Sequence, residues 1–269
     1  MRDRAIGVFD SGVGGLTSVA ELKRILPNEN IIYLGDTARI PYGTRSEETV
    51  YSYAVEDARF LQEHNVKMVI VACGTVSSVM MKRPVFEDGM LYTGVVYPAV
   101  DEAVRCTRNK KIGVIGTSAT IKSKAYERAI KDIDLDISVV TKACPMFVPL
   151  VENGYTDEDN PITTAIAEDY LSVMKDEQID TLIMGCTHYP HLKKFFRKIL
   201  GDGVSLISPG DEASKFAKRI LENKDLLSKR QEPGKIELYC TDSVELFSEN
   251  VETFLGESNN LSISRCVLK

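Results

Sequence analysis

Met68-Val-Ile-Val-Ala-Cys73-Gly-Thr75 and Thr181-Leu-Ile-Met-Gly-Cys186-Thr187-His188 are the two stretches on which the fold turns. Each is an unbroken apolar run rich in branched side chains, the pattern of a strand buried on both faces of a parallel sheet. Each ends in a cysteine followed by residues that suit a helix start. Working outwards, the runs at 5–9, 31–34, 112–115, 137–140 and 205–207 also read as strands, as do 236–241 and 261–267. Amphipathic stretches separate them. Ser46-Glu-Glu offers a hydroxyl cap and first-turn acids for a helix reaching His64. Ala213, Phe216, Ala217, Ile220 and Leu221 form one apolar stripe at helical spacing. Asp242, with Glu245 three residues on, reads as another cap. This alternation predicts an α/β fold.

A second pair of similar segments sharpens the prediction. Ile6-Gly-Val-Phe-Asp10-Ser11 and Ile112-Gly-Val-Ile-Gly116-Thr117 both read as strands ending in a small hydroxyl residue. Two pseudo-symmetric lobes are expected, each a mainly parallel sheet flanked by helices, with the active site between them. Residues 1–97 plus 209–269 would form the first lobe and 98–208 the second. Ligands of open α/β sheets bind at the C-terminal strand ends, where both cysteines fall.

Bulk properties exclude several function classes. The 269 residues suffice for one large or two small α/β units. A net charge of −6 argues against nucleic-acid binding, which needs a basic surface to neutralise phosphates. No apolar run approaches the ~18 residues required to cross a bilayer. The N-terminus enters an apolar run almost at once, so no signal peptide is expected and the predicted location is cytoplasmic. Cys73, Cys106, Cys144, Cys186, Cys240 and Cys266 are widely and unevenly spaced, without a Cys-x-x-Cys, which favours reduced thiols.

Each thiol is then either core filler or reagent. Cys73 precedes what reads as the first turn of a helix, where the dipole and free N–H groups favour a thiolate. A small buried residue is the blander reading, and a common use of free cysteine. Cys186 has the same setting, with Pro190 suited to the following helical turn and His188 two residues away, able to tune the thiol or donate to a carboxylate. A zinc site would need about four ligands, and beyond Cys73, Cys186, His188 and His191 no completing set is evident, so no metal is expected. The two cysteines mean more together than singly. A racemase removes a proton from one face of a tetrahedral carbon and returns one to the other, and one base on each side is the direct solution.

Three other segments bear on a ligand. The glycine-rich loop Asp10-Ser11-Gly12-Val-Gly14-Gly15-Leu-Thr17 matches neither Gly-x-Gly-x-x-Gly nor a P-loop. It reads as a carboxylate cradle at a helix start, or as a plain tight turn. Asp10 itself would hold an ammonium group or help Cys73 exchange protons. Asp36-Thr-Ala-Arg-Ile-Pro41-Tyr42-Gly43 offers a hydroxyl and a backbone N–H, or merely a turn. Glu152 follows an apolar segment and either faces a pocket or is solvated.

In combination these motifs resemble the glutamate racemase family. The resemblance rests on Phe9-Asp10-Ser11-Gly-Val-Gly-Gly-Leu-Thr17, Gly35-Asp36-Thr-Ala-Arg-Ile-Pro41-Tyr42-Gly43, Ala72-Cys73, Cys144-Pro-x-Phe-Val-Pro-Leu-Val-Glu152 and Gly185-Cys186-Thr187-His188-Tyr-Pro190, in the family's order across nearly the whole chain. It implies interconversion of L- and D-glutamate without pyridoxal phosphate or any other cofactor, supplying D-glutamate for peptidoglycan. It implies that Cys73 is the base towards D-glutamate and Cys186 the base towards L-glutamate, with Asp10, Glu152 and His188 supporting proton transfer. Asp10, Ser11, Pro41, Tyr42, Gly43, Gly74, Thr75, Thr117, Thr187 and His188 are the implied substrate-binding set, and a homodimer is the implied assembly. Relatives activated by a cell-wall precursor carry an N-terminal extension that this chain lacks, so that control is not expected. One position departs: relatives commonly read Ala-Cys-Asn-Thr where this chain has Gly74, which removes a side-chain hydrogen bond worth about 1 kcal/mol. The rival readings are a related two-thiol racemase acting on aspartate, hydantoin or another acidic substrate, and a non-catalytic anion-binding module.

Overall fold

The computed structural model describes residues 1–86, 89–255 and 260–268. Its strands are β1 (Ile6–Asp10), β2 (Ile31–Gly35), β3 (Met68–Val71), β4 (Tyr92–Gly94), β5 (Lys111–Gly116), β6 (Ser138–Ala143), β7 (Thr181–Gly185), β8 (Ser205–Ile207), β9 (Ile236–Cys240) and β10 (Leu261–Arg265). They form two sheets, ordered β10-β9-β2-β1-β3-β4 and β6-β5-β7-β8. Every pairing is parallel; β1, for example, matches Ile6 to Ile31 on one side and to Met68 on the other.

Helices cover both sheets, so the fold is α/β with two lobes. The run β2-β1-β3-β4 has the same order as β6-β5-β7-β8, which gives the internal repeat a topological meaning. Ser11 and Thr117 follow equivalent strands, and Cys73 and Cys186 follow another equivalent pair. The first sheet is extended beyond β2 by β9 and β10, for which the second has no counterpart among the described residues.

Burial explains the local sequences. Central strands β1, β3 and β7 are buried at every residue and are apolar almost throughout. Edge strands β6 and β10 are partly exposed and carry Ser, Thr, Lys or Arg. One apolar core runs from Ile6 and Val8 past Ala213, Ala217 and Leu221 to Phe147, Tyr189 and Phe196, joining the lobes. Helix Pro209–Asn223 thus buries three residues of its predicted stripe, while Phe216 and Ile220 are half-buried. Helix Glu47–Glu63 starts where expected, with Ser46 Oγ accepting from Thr49 N–H at 3.3 Å.

Three details differ from the sequence expectation. β4 was not foreseen, because three residues at a sheet edge leave no periodicity to read. The last two strands end at Cys240 and Arg265, short of 241 and 267. Helix Val244–Leu255 is capped by Ser243, whose Oγ accepts from Leu246 N–H at 3.2 Å, and not by Asp242. Asp242 is held back instead, its N–H donating to Thr37 Oγ1 at 3.0 Å. Among the described residues no helix is long and apolar enough to cross a membrane.

Candidate active site

The C-terminal ends of β1, β3, β5 and β7 open on one cavity of about 310 Å³. That is the lower end of the ~300–1,000 Å³ typical of small-molecule sites. All the sequence-predicted residues line it: Asp10, Ser11, Pro41, Tyr42, Gly43, Cys73, Gly74, Thr75, Thr117, Glu152, Cys186, Thr187 and His188. Also present are Ile40, Thr44, Ser118, Pro145, Val148 and Pro149, which sequence reasoning did not single out. The last three belong to the segment leading to Glu152, whose resemblance to the family pattern was the available signal. Among the described residues the lining contains neither Lys nor Arg, and His188 is its one candidate cation.

On the first-lobe side, Cys73 occupies the cap position of helix Gly74–Met80 and is 5% exposed. Its Sγ lies 3.7 Å from Ser11 Oγ. The helix start was expected to favour the thiolate, and that expectation fails. Burial, reinforced by the neighbouring Asp10 charge, outweighs the pull of the Val76 N–H and Ser11, and the thiol is pushed up to about 12. At neutral pH Cys73 holds its proton.

Asp10 ends β1 and is almost fully buried. Its Oδ2 accepts from Gly15 N–H at 2.9 Å, while Oδ1 is buried without a hydrogen-bond partner among the described residues. Burial raises its carboxyl above the usual range, against the opposing pull of His188 and of the loop amides. The glycine-rich loop therefore wraps Asp10 more than it cradles a ligand. Its helix-start donors are spent internally, since Leu16, Thr17 and Ser18 N–H bond to Val13, Gly14 and Gly15 carbonyls. Tyr33 Oη, donating to Gly12 O at 2.7 Å, pins the loop from below.

On the second-lobe side, Cys186 leaves β7 and is half-buried. Thr187 and His188 follow, then a 3-10 turn Tyr189–Leu192 with Pro190 in it, and helix Lys193–Leu200. Cys186 Sγ lies 3.8 Å from His188 Nδ1, and His188 Nε2 lies 3.1 Å from Glu152 Oε1. Burial alone would push the imidazole down, but contact with Cys186 and Glu152 overrides it and raises the group to about 10. The ring thus bridges a thiol and a carboxylate. His191, by contrast, is turned away: its ring packs on Phe254 at 4.3 Å, and burial drives it down to about 4.

Hydroxyls and a turn complete the lining. Thr75, Thr117 and Thr120 form a triangle of Oγ1 atoms 3.0, 3.1 and 3.4 Å apart, with Thr117 also capping helix Ser118–Ser123. The Tyr42 hydroxyl, read from sequence as a ligand donor, is committed elsewhere. It donates to Asp36 and contacts Asp57 at 3.2 Å inside the core, which leaves its backbone facing the cavity. Arg39 ties that carboxylate pair to Glu56 and so anchors the Pro41–Gly43 turn. Gly74 has a reason beyond the lost amide: a Cβ there would stand 2.5 Å from the Gly185 carbonyl oxygen. Among the described residues no group of three or more His, Cys, Asp or Glu is placed to hold a metal ion.

The sequence and the fold are similar to those of known proteins. Residues 15–217 match the Asp/Glu/hydantoin racemase family. A glutamate racemase of Geobacter metallireducens is 42% identical over 253 residues, covering 94% of this chain and 93% of its own. The crystal structure of a glutamate racemase isoform from Bacillus anthracis superposes with a TM-score of 0.94 at 38% identity, covering 100% of this chain and 99% of that one. The Francisella tularensis glutamate racemase, solved in complex with D-glutamate, gives 0.91 at 38% identity, over 99% and 98% of the two chains. The chain belongs to the Asp/Glu/hydantoin racemase family and is an amino-acid racemase.

Proposed function

We propose that the chain interconverts L- and D-glutamate by a two-base mechanism, with Cys73 and Cys186 acting on opposite faces of the α-carbon. The observation that carries this is topological. Two sheets of identical strand order each deliver a cysteine from the equivalent strand, and both cysteines line one cavity. In the direction from L-glutamate, the Cys186 thiolate takes the α-hydrogen and the C–H electron pair passes into the α-carbon and its carboxylate. The Cys73 thiol then delivers its proton to the opposite face, leaving Cys73 as thiolate and Cys186 as thiol. The reverse direction exchanges the roles, with Cys73 removing the proton from D-glutamate. Between turnovers protons redistribute through the flanking groups, Asp10 beside Cys73 and the His188–Glu152 pair beside Cys186.

The α-hydrogen is far less acidic than a thiol, so most of the barrier reduction must come from donors aimed at the developing charge. Ser11, Thr75, Thr117, Thr187 and the amides of the Pro41–Gly43 turn and of Gly74 supply neutral donors; His188 supplies a charged one when protonated. Pyridoxal phosphate and metal ions have no part in this scheme. Closure of the lobes, 1–97 with 209–269 against 98–208, would strip water from these donors and strengthen them. The resemblance also supports the remaining assignments: D-glutamate supplied to peptidoglycan synthesis, a cytoplasmic location and a homodimer.

The test is a polarimetric assay without added cofactor, run in heavy water, on L- and D-glutamate with L-aspartate and a chiral 5-substituted hydantoin as comparison substrates. Loss of optical rotation from either glutamate enantiomer, with deuterium at the product α-carbon, is the expected result. Turnover of aspartate or hydantoin alone would transfer the mechanism to that substrate, and binding without chemistry would reduce the site to an anion-binding module.

A further inference from the structure

The two lobes meet beside the cavity where the first lobe has no side chain to offer. A Cβ on Gly14 would stand 2.6 Å from His188 Nδ1 and 2.7 Å from Cε1, and would collide with Thr187 Oγ1. A Cβ on Gly74 would stand 2.5 Å from the carbonyl oxygen of Gly185, the residue before the second thiol. Gly14 lies in the first lobe's glycine-rich loop and Gly74 opens the first-lobe helix Gly74–Met80, and both press on the same second-lobe segment, 185–188. The His188 ring has little room to yield. It is 6% exposed, held by Glu152 at 3.1 Å, and met edge-on by Phe254 with centroids 5.8 Å apart.

We propose that Gly14 and Gly74 are positioning residues for the proton transfers, whose bare α-carbons let the first lobe seat the segment 185–188. Gly14 fixes the imidazole against Cys186. Gly74 fixes how near the two thiol-bearing strand ends stand. The proposal rests on the two-thiol reading above. It gives the glycine-rich loop a second use, since Gly14 is no part of the cavity wall and binds nothing itself. An added methyl group would displace the ring by about 1 Å, and a misplacement of that size can cost about 100-fold in rate.

The experiment measures kcat, KM and the substrate deuterium isotope effect on kcat/KM, using α-deuterated L- and D-glutamate, for the wild type, Gly14→Ala and Gly74→Ala. Gly14→Ala is expected to lower kcat by roughly 10- to 100-fold with KM little changed. Its isotope effects should also split. The effect with deuterated L-glutamate rises, because removal by Cys186 has become the slow step, and the effect with deuterated D-glutamate falls. Gly74→Ala lies between the thiols, so it should lower kcat with both isotope effects moving together. A Gly14→Ala enzyme with wild-type kcat, or a slowed one whose isotope effects do not split, overturns the proposal. Should Gly14→Ala fail to fold, Gly74→Ala decides alone: wild-type kcat there overturns the proposal, and a loss without splitting supports it. Failure of the underlying reading looks different, since the wild type in heavy water would then place deuterium in recovered substrate as readily as in product.

Discussion

The two halves of the cavity share a topology and differ in electrostatics. Cys73 and Cys186 leave equivalent strands, yet Cys73 is buried beside a buried carboxyl, and Cys186 is half-buried beside an imidazole backed by a carboxylate. Burial pushes the first thiol up to about 12. The second thiol faces a ring raised to about 10, hence positively charged at neutral pH. A repeated scaffold therefore does not imply repeated chemistry. The scaffold sets where the two cysteines stand, while each neighbourhood sets which groups surround the thiol. In the proposed mechanism the substrate is itself asymmetric, presenting different groups to each lobe once its α-carbon lies between the sulfurs, so an asymmetric pair suits a reaction with two different faces.

The strongest way to break the comparison is to remove one thiol at a time. Cys73→Ala and Cys186→Ala should each lower racemisation by at least about 10³-fold, within the range for loss of a positioned acid or base. The residual chemistry should be mirrored. Cys73→Ala retains slow α-hydrogen exchange of L-glutamate in heavy water, without inversion, and Cys186→Ala retains exchange of D-glutamate only. Proton NMR of each enantiomer separates the outcomes. If either variant exchanges both enantiomers equally, the assignment of one thiol to each face is wrong.

The scaffold was far more legible than the electrostatics. Buried parallel strands announce themselves as apolar runs, and a helix such as Glu47–Glu63 begins where Ser46 and its acids indicate. Site membership was legible too, because Asp10, Ser11, Cys73, Thr117 and Cys186 sit at strand ends that the fold gathers into one place. What escaped was set by contacts between distant segments. Helix-start reasoning favoured a Cys73 thiolate because it weighed one local dipole; the long-range burial that overrides it leaves no mark in residues 68–80. The Tyr42 hydroxyl is lost to Asp36 and Asp57, and Asp57 lies fifteen residues further along the chain. The apolar wall of Ile40, Pro145, Val148 and Pro149 follows no period. Gly74 read as a missing amide because its neighbour, Gly185, is remote in sequence.

A smaller effect sharpens the contrast between the two environments. The folded-state pKa of His188 is raised to about 10 from an ordinary value of 6.5. Such a group contributes stability that is fully present below pH 6.5 and is lost as pH rises towards 10, because the folded state holds the proton the unfolded chain releases. Thermal melts between pH 6.5 and 10 should therefore show a falling Tm in the wild type and a shallower slope in His188→Asn. Glu152→Gln should lie between them, having removed one of the two groups that raise the ring. Parallel slopes for wild type and His188→Asn would mean that the imidazole is not held protonated.

The smallest expected difference lies at the two equivalent hydroxyls. Ser11 follows β1 and among the described residues its hydroxyl is met only by the Cys73 thiol at 3.7 Å, whereas Thr117 follows β5, joins the threonine triangle and caps a helix through Thr120 N–H at 3.3 Å. Ser11→Ala removes a cavity donor and no cap. It should lower kcat/KM by about tenfold, the value of a hydrogen bond of ~1.4 kcal/mol, and leave the melting temperature near that of the wild type. Thr117→Val removes a donor and a cap together, so a comparable kinetic loss should come with about 1 kcal/mol of lost stability. Urea titrations of the two variants, read beside their kinetics, test whether positions that match in topology have been given different work. Equal stability losses would mean the cap is weaker than its geometry indicates. Equal kinetics with unequal stability would show that the lobes differ here in how they are held together, while offering the substrate the same hydroxyl.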